Sequence, residues 1–258
     1  MSTGHETATA AALSLPRPAE SLGLPAGIRA CLFDLDGVLT QTAQLHAAAW
    51  KETFDSFLRD RSVRTSEPFV PFDTALDYER YVDGRARLDG VREFLAARRI
   101  EADAATVTAL GDRKTERVLE LIRRRGLRPY RGSLLYLQAA RAAGLRRGVV
   151  SASANCRAAL EAAGLADLVE VRIDAARAAE EHLDGKPAPD TFLAAAHALN
   201  VRPDEAAVFE DALAGVAAGR AGDFGFVVGV DRTGHGEALR RAGADVVVSD
   251  LAELLERR

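Results

Sequence analysis

The sequence predicts an α/β fold, a doubly wound parallel sheet with a helical cap domain inserted after the first strand. Short apolar runs alternate with alanine- and leucine-rich stretches of helical spacing, an order typical of a parallel sheet covered by helices. The first run, IRACLFD from Ile28, is continuously apolar and ends in an acid, as expected of a strand buried on both faces. Similar runs follow as RGVVSAS, AAVFED, FGFVVGV and ADVVVSD. This alternation predicts a Rossmann-like core.

The segment from Thr42 to Gly126 interrupts the alternation, because it contains helical patterns and polar turns but no pair of buried strands. It begins with the amphipathic stretch HAAAWKETFDSFL, and LGDRKTERVLELIRRRG near its end predicts a long helix stopped by glycine. We therefore divide the chain into an α/β core over 27–41 and 127–258 and a helical cap over 42–126. A cap at the carboxyl edge of a parallel sheet would act as a lid.

Residues 1–26 combine Ala, Ser, Thr and Pro without hydrophobic periodicity, which predicts a flexible N-terminal extension. They lack the basic segment that begins a secretory signal. No run of about 18 apolar residues occurs, so no membrane span is predicted. We therefore expect no membrane partner.

The composition excludes several classes of protein. With 34 basic and 38 acidic residues among 258, the chain lacks the basic footprint of a nucleic-acid binder. Cys31 and Cys156 lack CxxC spacing, which predicts neither a disulfide framework nor a zinc site. The cysteine usage favours a cytoplasmic location, and we also expect a monomer without a nucleic-acid partner.

Two aspartates, Asp34 and Asp36, follow the first predicted strand in FDLDGV. If the extended geometry continues past Asp34, the two carboxylates lie on one side, and Gly37 lets the chain turn. Paired carboxylates can divide the roles of nucleophile and general acid/base. A solvated acidic turn is the competing interpretation. An EF-hand loop is excluded, because apolar residues occupy three of its required positions: Val38, Leu39 and Leu45.

Three more polar motifs are expected to lie at the same edge of the sheet. In VVSASAN, the Ser151 hydroxyl and free backbone N–H groups would hold phosphate oxygens, although a simple helix cap is the alternative. In GKPAPD, the Lys186 ammonium would neutralise a transferred phosphoryl group, or would simply be solvated. In VFEDALAG, Glu210 and Asp211 offer Mg²⁺ ligands next to Asp34, or favour the next helix N-terminus. Their convergence favours a shared site.

These ordered motifs resemble those of the haloacid dehalogenase superfamily, and the resemblance covers the chain from about Ile28 onwards. It implies that Asp34 forms an aspartyl-phosphate and that Asp36 is the general acid/base. It also implies that Ser151 and Lys186 hold the phosphoryl oxygens. Four residues would bind magnesium: Asp34, Asp36, Glu210 and Asp211. The dehalogenase branch usually lacks the second aspartate, and transport ATPases carry DKTG, so both are disfavoured.

Within that superfamily, DLDGVLTQTAQLHAAAWK, SASAN and GKPAPDTFLAAAHAL resemble the β-phosphoglucomutase-like subfamily. Thr42, His46 and Trp50 have i, i+4, i+8 spacing and so share one helix face. The resemblance implies that Thr42 and His46 couple cap closure to Asp36. Trp50 is counted among the substrate-binding residues, with packing expected as its main role. It also implies substrate contacts from cap and core: Arg87 in DGRAR, Lys114 in DRKT, and Ala152, Ser153 and Asn155 in SASAN.

One departure concerns Ala154, which stands where the subfamily commonly has a lysine. The resemblance implies a mutase that interconverts β-glucose 1-phosphate and glucose 6-phosphate. Its cofactors would be Mg²⁺ and glucose 1,6-bisphosphate, the latter as activator and intermediate. Two alternatives remain open: a Mg²⁺-dependent sugar-phosphate phosphatase using the same residues, and a non-catalytic phosphosugar-binding module.

Overall fold

Six parallel strands form one sheet in the computed structural model, which describes residues 19–256. Their bounds are β1 Ala30–Phe33, β2 Arg146–Val150, β3 Val171–Ile173, β4 Ala206–Glu210, β5 Phe226–Val230 and β6 Val246–Val248. The order across the sheet is β3-β2-β1-β4-β5-β6, so the strand order reverses at β1. Ligands of open α/β sheets bind at the carboxyl ends of the strands beside such a reversal. The predicted doubly wound sheet is confirmed.

Helices cover both faces of the sheet and form the insert after β1. Their bounds are α1 Ala43–Thr65, α2 Arg87–Ala97, α3 Ala104–Arg125, α4 Arg131–Ala142, α5 Cys156–Ala162, α6 Ala175–Glu180, α7 Asp190–Ala198, α8 Leu213–Ala221, α9 Gly236–Ala242 and α10 Ala252–Glu256. A single wide helical turn, Tyr78–Val82, precedes α2. The helical cap predicted after the first strand is confirmed, while the domain boundaries at 41/42 and 126/127 stay a prediction.

The central strand β1 is buried on both faces, as its continuous apolar run predicted. Phe33 stacks on Phe209 of β4, with ring centroids 4.6 Å apart, and contacts Tyr136 of α4 edge-on. The preceding residue, Leu32, points to the other face and joins the apolar cluster that contains Phe192 of α7. This two-sided packing fixes the end of β1, from which the chain continues into Asp34 and Asp36.

The cap has an aromatic core of its own. Phe54 lies at its centre, with ring centroids 5.0 Å from Trp50, 5.2 Å from Phe72 and 4.1 Å from Phe94. Aromatic pairs at these distances add stabilisation beyond the area that they bury. The cluster packs α1 against α2. It therefore holds α1, which begins just after Thr42, in position.

One strand was absent from the prediction. Strand β3 lies at the sheet edge and has only three residues, of which Val171 and Arg172 are half-buried. A charged residue between two apolar ones gives no continuous apolar run, so the sequence pattern did not reveal it. The motif around Lys186 was expected at the same sheet edge as the other motifs. Lys186 does not follow a strand directly, because α6 and a loop separate it from β3.

The predicted flexible extension over 1–26 is wrong for residues 19–24. Ala19, Leu22 and Leu24 are buried in the apolar cluster beneath α4 and α10. The Tyr136 hydroxyl also donates a hydrogen bond to the Leu22 carbonyl oxygen at 3.0 Å. Two leucines two residues apart thus pack on the core, and residues 1–18 lie outside the described residues.

Of the helices in residues 19–256, none has the length and apolarity that crossing a membrane would require.

Candidate active site

Asp34 follows β1 directly, and its backbone N–H donates to the carbonyl oxygen of Phe209 in β4 at 2.9 Å. The chain then turns at Gly37, whose φ is +92° and whose N–H donates to the Thr40 carbonyl oxygen. Asp34 and Asp36 line the same pocket between core and cap. The turn therefore places both carboxylates at the carboxyl edge of the sheet.

Lys186 lies between two buried carboxylates. Its Nζ donates to Asp34 Oδ1 and Glu210 Oε1, both at 2.6 Å, and to the Val150 carbonyl oxygen at 3.1 Å. Burial alone would lower the pKa of Lys186, but the two carboxylates outweigh it and raise this pKa. The ammonium is therefore kept charged beside the Asp34 oxygen.

Asp36 is surrounded by hydroxyl groups from core and cap. Thr42, the N-cap residue of α1, donates from Oγ1 to Asp36 Oδ1, and the Thr40 hydroxyl lies 2.8 Å from that of Thr42. Burial raises the pKa of Asp36, while hydrogen bonds from Thr42 and Ser151 oppose that rise. A carboxyl group with a raised pKa is the type of group that general acid/base chemistry uses, and the role of Asp36 stays a prediction.

His46 and Lys114 approach Asp36 from the cap. His46 Nε2 lies 3.5 Å from Asp36 Oδ1, and Lys114 Nζ lies 3.1 Å from His46 Nδ1. Burial and the Lys114 charge hold the pKa of His46 well below its ordinary value, so the imidazole is neutral. Burial lowers the pKa of Lys114 to about 8, so at neutral pH the ammonium donates to Nδ1. The His46 proton is then on Nε2 and faces Asp36.

Five carboxyl groups line the pocket: Asp34, Asp36, Asp83, Glu210 and Asp211. Burial, followed by repulsion from neighbouring carboxylates, raises the pKa of Asp211 well above its ordinary value. Burial likewise raises the pKa of Asp34 to about 6 and that of Glu210 to about 7. The pKa of Asp83 is also raised to about 7, by burial and by Glu210. These shifts share one cause, because the carboxyl groups are buried close to one another and each disfavours the charged form of its neighbours.

This set of hard oxygen donors fits Mg²⁺, which prefers carboxylate and phosphate oxygens. Gly37 leaves the space that the Asp211 carboxylate fills, because a Cβ atom there would lie 1.8 Å from Asp211 Oδ2. Within residues 19–256, however, no three His, Cys, Asp or Glu side chains are already grouped as metal ligands. The donor chemistry fits the ion, and the four ligand roles from the sequence stay a prediction.

The loop after β2 carries the SASAN motif. Ser151 accepts a hydrogen bond from the Ser153 N–H at 3.1 Å, and Ser153 Oγ accepts one from the Asn155 N–H at 3.2 Å. Ala152 and Ser153 line the catalytic pocket. Asn155 is the N-cap residue of α5 and does not line that pocket. Ser151 is linked to the site by a hydrogen bond to Asp36, so Ser151, Ala152 and Ser153 all contact the site, and Asn155 does not line it.

Two further cap residues from the sequence also line the pocket, but each has a partner in the cap. Arg87 donates to Thr115 Oγ1 at 2.6 Å and pairs with Asp112 at 3.1 Å. Trp50 stacks on Phe54 and lies under the Lys114 ammonium, 5.0 Å from the ring centroid. The packing expected of Trp50 therefore accounts for its contacts.

Several residues at the site were not assigned from the sequence. Tyr78, Asp83 and Arg85 line the pocket, and the last two belong to the DGRAR loop that already indicated a substrate contact. His235 Nε2 lies 3.1 Å from the Asp211 carbonyl oxygen, and Arg232 Nε donates to the Gly37 carbonyl oxygen at 3.1 Å. His235 and Arg232 lie far along the chain from these partners, so no sequence motif indicated that they belong to the site.

The pocket around the aspartates has a volume of about 50 Å³, too small for a sugar phosphate. A second cavity of about 500 Å³ lies beside it, between α2 and α6. It is lined by Ala154, Ser151 and Lys186 from the core, and it shares Arg87 and Ala152 with the catalytic pocket. In this structure the cap therefore lies directly on the core residues Asp34 and Asp36.

A profile of haloacid dehalogenase-like hydrolases matches residues 28–223. The chain belongs to the haloacid dehalogenase-like hydrolase family.

Three relatives define its position within that family. The chain is 56% identical over 246 residues to a β-phosphoglucomutase of Mycobacterium bovis, covering 91% of this chain and 94% of the relative. It is 30% identical over 235 residues to a validoxylamine A 7′-phosphate phosphatase of Streptomyces hygroscopicus subsp. limoneus, covering 88% of this chain and 95% of the relative. The crystal structure of a Clostridium difficile β-phosphoglucomutase is 26% identical, with a TM-score of 0.72, and covers 88% and 93% of the two chains.

Proposed function

We propose that the protein interconverts β-glucose 1-phosphate and glucose 6-phosphate through glucose 1,6-bisphosphate, as a Mg²⁺-dependent phosphomutase. One observation carries this proposal: Thr42 and His46, at the start of the cap, both contact Asp36 of the core. Such contacts make the position of Asp36 depend on the position of the cap. A mutase needs this dependence, because the phosphoryl group must pass to a sugar hydroxyl and not to water. The high identity to a β-phosphoglucomutase supports the choice.

Asp34 is the nucleophile in this proposal. One carboxylate oxygen attacks phosphorus, a bond to that oxygen forms, and the bond from phosphorus to the sugar oxygen breaks. Lys186, which contacts Asp34 Oδ1 at 2.6 Å, offsets negative charge on the transferred group. The Ser151 hydroxyl, beside Asp36, is placed to donate to a phosphoryl oxygen. Bound Mg²⁺, held by Asp34, Asp36, Glu210 and Asp211, would neutralise developing charge.

Asp36 moves the proton in both halves of the cycle. It takes the proton of the sugar 6-hydroxyl as that oxygen attacks the aspartyl-phosphate, which yields the bisphosphate and free Asp34. After the bisphosphate turns over, Asp36 returns the proton to the leaving oxygen at C1 while Asp34 is phosphorylated again. Glucose 6-phosphate leaves, and the phosphoenzyme is restored. Because the cycle starts from phosphoenzyme, glucose 1,6-bisphosphate acts as activator.

The cap excludes water from the aspartyl-phosphate. The small volume around Asp34 requires the cap to move away from the core before a sugar phosphate can enter. When it returns, Thr42 and His46 meet Asp36 again. Binding energy from the non-reacting end of the substrate would favour this closure.

The test is the product ratio. Purified protein with β-glucose 1-phosphate, Mg²⁺ and a trace of glucose 1,6-bisphosphate is expected to form glucose 6-phosphate in large excess over inorganic phosphate. Omission of the bisphosphate should produce a lag that its addition removes. Release of inorganic phosphate as the main product would contradict the mutase function.

A phosphatase is the second candidate, because Ala154, which lines the neighbouring cavity, offers no charge to a second phosphate. A phosphatase relative of similar length supports it. The same product ratio separates the two.

Both cysteines are buried and free, which suits the cytoplasmic location that we propose. The monomeric state stays a prediction.

A further inference from the structure

The loop over residues 231–236, which follows β5, is organised around the carboxylate of Asp231. Asp231 Oδ1 accepts hydrogen bonds from three backbone N–H groups of the loop, at 3.1, 2.6 and 3.0 Å, and Oδ2 accepts one from the Gly236 N–H at 2.9 Å. Burial would raise the pKa of Asp231, but these hydrogen bonds outweigh it and lower this pKa. The loop backbone is therefore held around a charged carboxylate, which fixes the positions from which its side chains extend.

Arg232 connects this loop to the turn that follows β1. Its Nε donates to the Gly37 carbonyl oxygen at 3.1 Å, and its Nη1 donates to the Ser249 carbonyl oxygen at 2.6 Å and to Asp250 Oδ2 at 3.0 Å. The guanidinium also lies over the Tyr130 ring, 3.7 Å from its centroid, which adds a cation–π attraction. Only 14% of the side chain is exposed, so these contacts are largely shielded from water. The turn is thus tied to the segment after β6.

His235 connects the same loop to the end of β4. Its Nε2 lies 3.1 Å from the Asp211 carbonyl oxygen, and its Nδ1 is within hydrogen-bond distance of the Thr233 hydroxyl. A carbonyl oxygen only accepts, so Nε2 carries a proton and donates to it. In the neutral ring, Nδ1 then accepts from the hydroxyl. The loop therefore holds the backbone of Asp211 as well as that of Gly37.

The two segments that the loop holds touch each other. A Cβ atom on Gly37 would lie 1.8 Å from Asp211 Oδ2. The pairing of β1 with β4 ends at the hydrogen bond from the Asp34 N–H to the Phe209 carbonyl oxygen. The carboxylates of Asp36 and Asp211 follow that point on their strands, so the strand pairing does not set the distance between them.

We propose that Arg232 and His235 are positioning residues that set the distance between the Asp36 turn and Asp211, and thereby the affinity of the site for Mg²⁺. The assignment rests on the proposed function, from which it takes the four metal ligands. Neither side chain lines the catalytic pocket, so both act through the backbone carbonyl oxygens to which they donate. Because Mg²⁺ requires a nearly octahedral set of oxygen ligands, a change in this distance weakens its binding.

The experiment measures the dissociation constant of Mg²⁺ by isothermal titration calorimetry, on the full chain without substrate. We expect Arg232→Met and His235→Leu each to weaken Mg²⁺ binding about 10-fold, as is typical when a partner of a metal ligand is lost. The double variant should bind no more weakly than the weaker single variant, because either loss already releases the distance between the segments. His235→Gln should recover most of the affinity, since its amide can donate to the Asp211 carbonyl oxygen.

Arg220→Met is the matched control. Arg220 also binds a backbone carbonyl oxygen and a carboxylate, those of Gly243 at 2.7 Å and Asp245 at 2.6 Å, and none of the three lines the catalytic pocket. This variant is expected to lower the melting temperature and to keep the wild-type Mg²⁺ affinity. If Arg232→Met does not fold, His235→Leu carries the test, because His235 is only half-buried.

Kinetics provide a second measurement. At limiting Mg²⁺, both variants of the loop should lower kcat for β-glucose 1-phosphate without changing its KM, and saturating Mg²⁺ should restore kcat. A general loss of stability would not be reversed in this way.

The outcomes separate this assignment from the proposed function. Wild-type Mg²⁺ affinity in both Arg232→Met and His235→Leu would overturn the assignment alone. An equal loss in Arg220→Met would also overturn it, because general destabilisation would then explain the effect. Losses that multiply in the double variant would contradict a single shared distance. If wild type binds Mg²⁺ but releases inorganic phosphate as its main product, the phosphomutase function fails, and the Mg²⁺ affinities of the variants still decide the assignment.

Discussion

Gly37 and Asp211 are so close that a Cβ atom on Gly37 would lie 1.8 Å from Asp211 Oδ2. The glycine has a φ of +92°, a conformation that side chains disfavour. The turn after Asp34 and the acidic pair at the end of β4 are therefore fitted to one another. Any side chain at position 37 displaces the Asp211 carboxylate.

Gly37→Ala is expected to weaken Mg²⁺ binding because it moves Asp211. The measurement is the increase in melting temperature that Mg²⁺ produces. Gly144→Ala is the matched control, since Gly144 has a φ of +74° and no atom within 4 Å of a built Cβ. Backbone strain of roughly 1–2 kcal/mol is common to both variants. A full Mg²⁺ shift in Gly37→Ala would show that Asp211 is not a ligand.

Asp34→Asn is expected to fold and to lose turnover of sugar phosphates and acetyl phosphate alike, since the nucleophile is absent. The asparagine oxygen can still accept the Lys186 hydrogen bond, so the fold is retained. Mass spectrometry of wild type after reaction with acetyl phosphate should find the phosphoryl group on Asp34. Turnover at the wild-type rate in the variant would exclude Asp34 as nucleophile.

Asp36→Asn should separate proton transfer from phosphoryl transfer. Turnover of β-glucose 1-phosphate is expected to fall about 10²–10⁴-fold, because the sugar oxygen loses its proton donor and acceptor. Phosphoenzyme formation from acetyl phosphate, whose leaving group needs no proton, should continue. An equal loss with both donors would assign Asp36 to metal binding or folding instead.

Lys114→Met is expected to change the tautomer of His46. In wild type the Lys114 ammonium donates to Nδ1, which leaves the proton on Nε2 facing Asp36. Nitrogen chemical shifts of the His46 ring report which atom is protonated. We expect the Nε2–H form in wild type and a mixture in the variant. A predominant Nδ1–H form in wild type would contradict this hydrogen-bond assignment.

Lys186→Met should destabilise the fold, because Asp34 and Glu210 remain buried without their shared cation. Loss of one partner from a buried ion pair costs about 3–5 kcal/mol. Urea unfolding without metal measures this free energy, and adding Glu210→Gln should recover part of it. Arg146→Ala, in a half-exposed pair, should cost under about 1 kcal/mol. Equal stability of the Lys186 variant and wild type would contradict the role of the pair.

The sequence alone determined the sheet class and the location of the main motifs. Asp34, Ser151 and Glu210 end or follow apolar runs, and those runs form β1, β2 and β4, which are adjacent in the sheet. Carboxyl ends of parallel strands share one edge, so local patterns were sufficient to gather these residues. The chemical roles assigned to them stay predictions.

Only the tertiary structure decided features that depend on contacts between distant segments. Edge strand β3 is stabilised by pairing with β2, and residues 19–24 by apolar contact with α4 and α10. The contacts of Arg232 and His235 are of the same kind. Both lie in one polar loop, and only the tertiary structure shows that one reaches Gly37 and the other Asp211. Sequence spacing specifies which side chains share a face, whereas partners far along the chain determine which segments a side chain holds together.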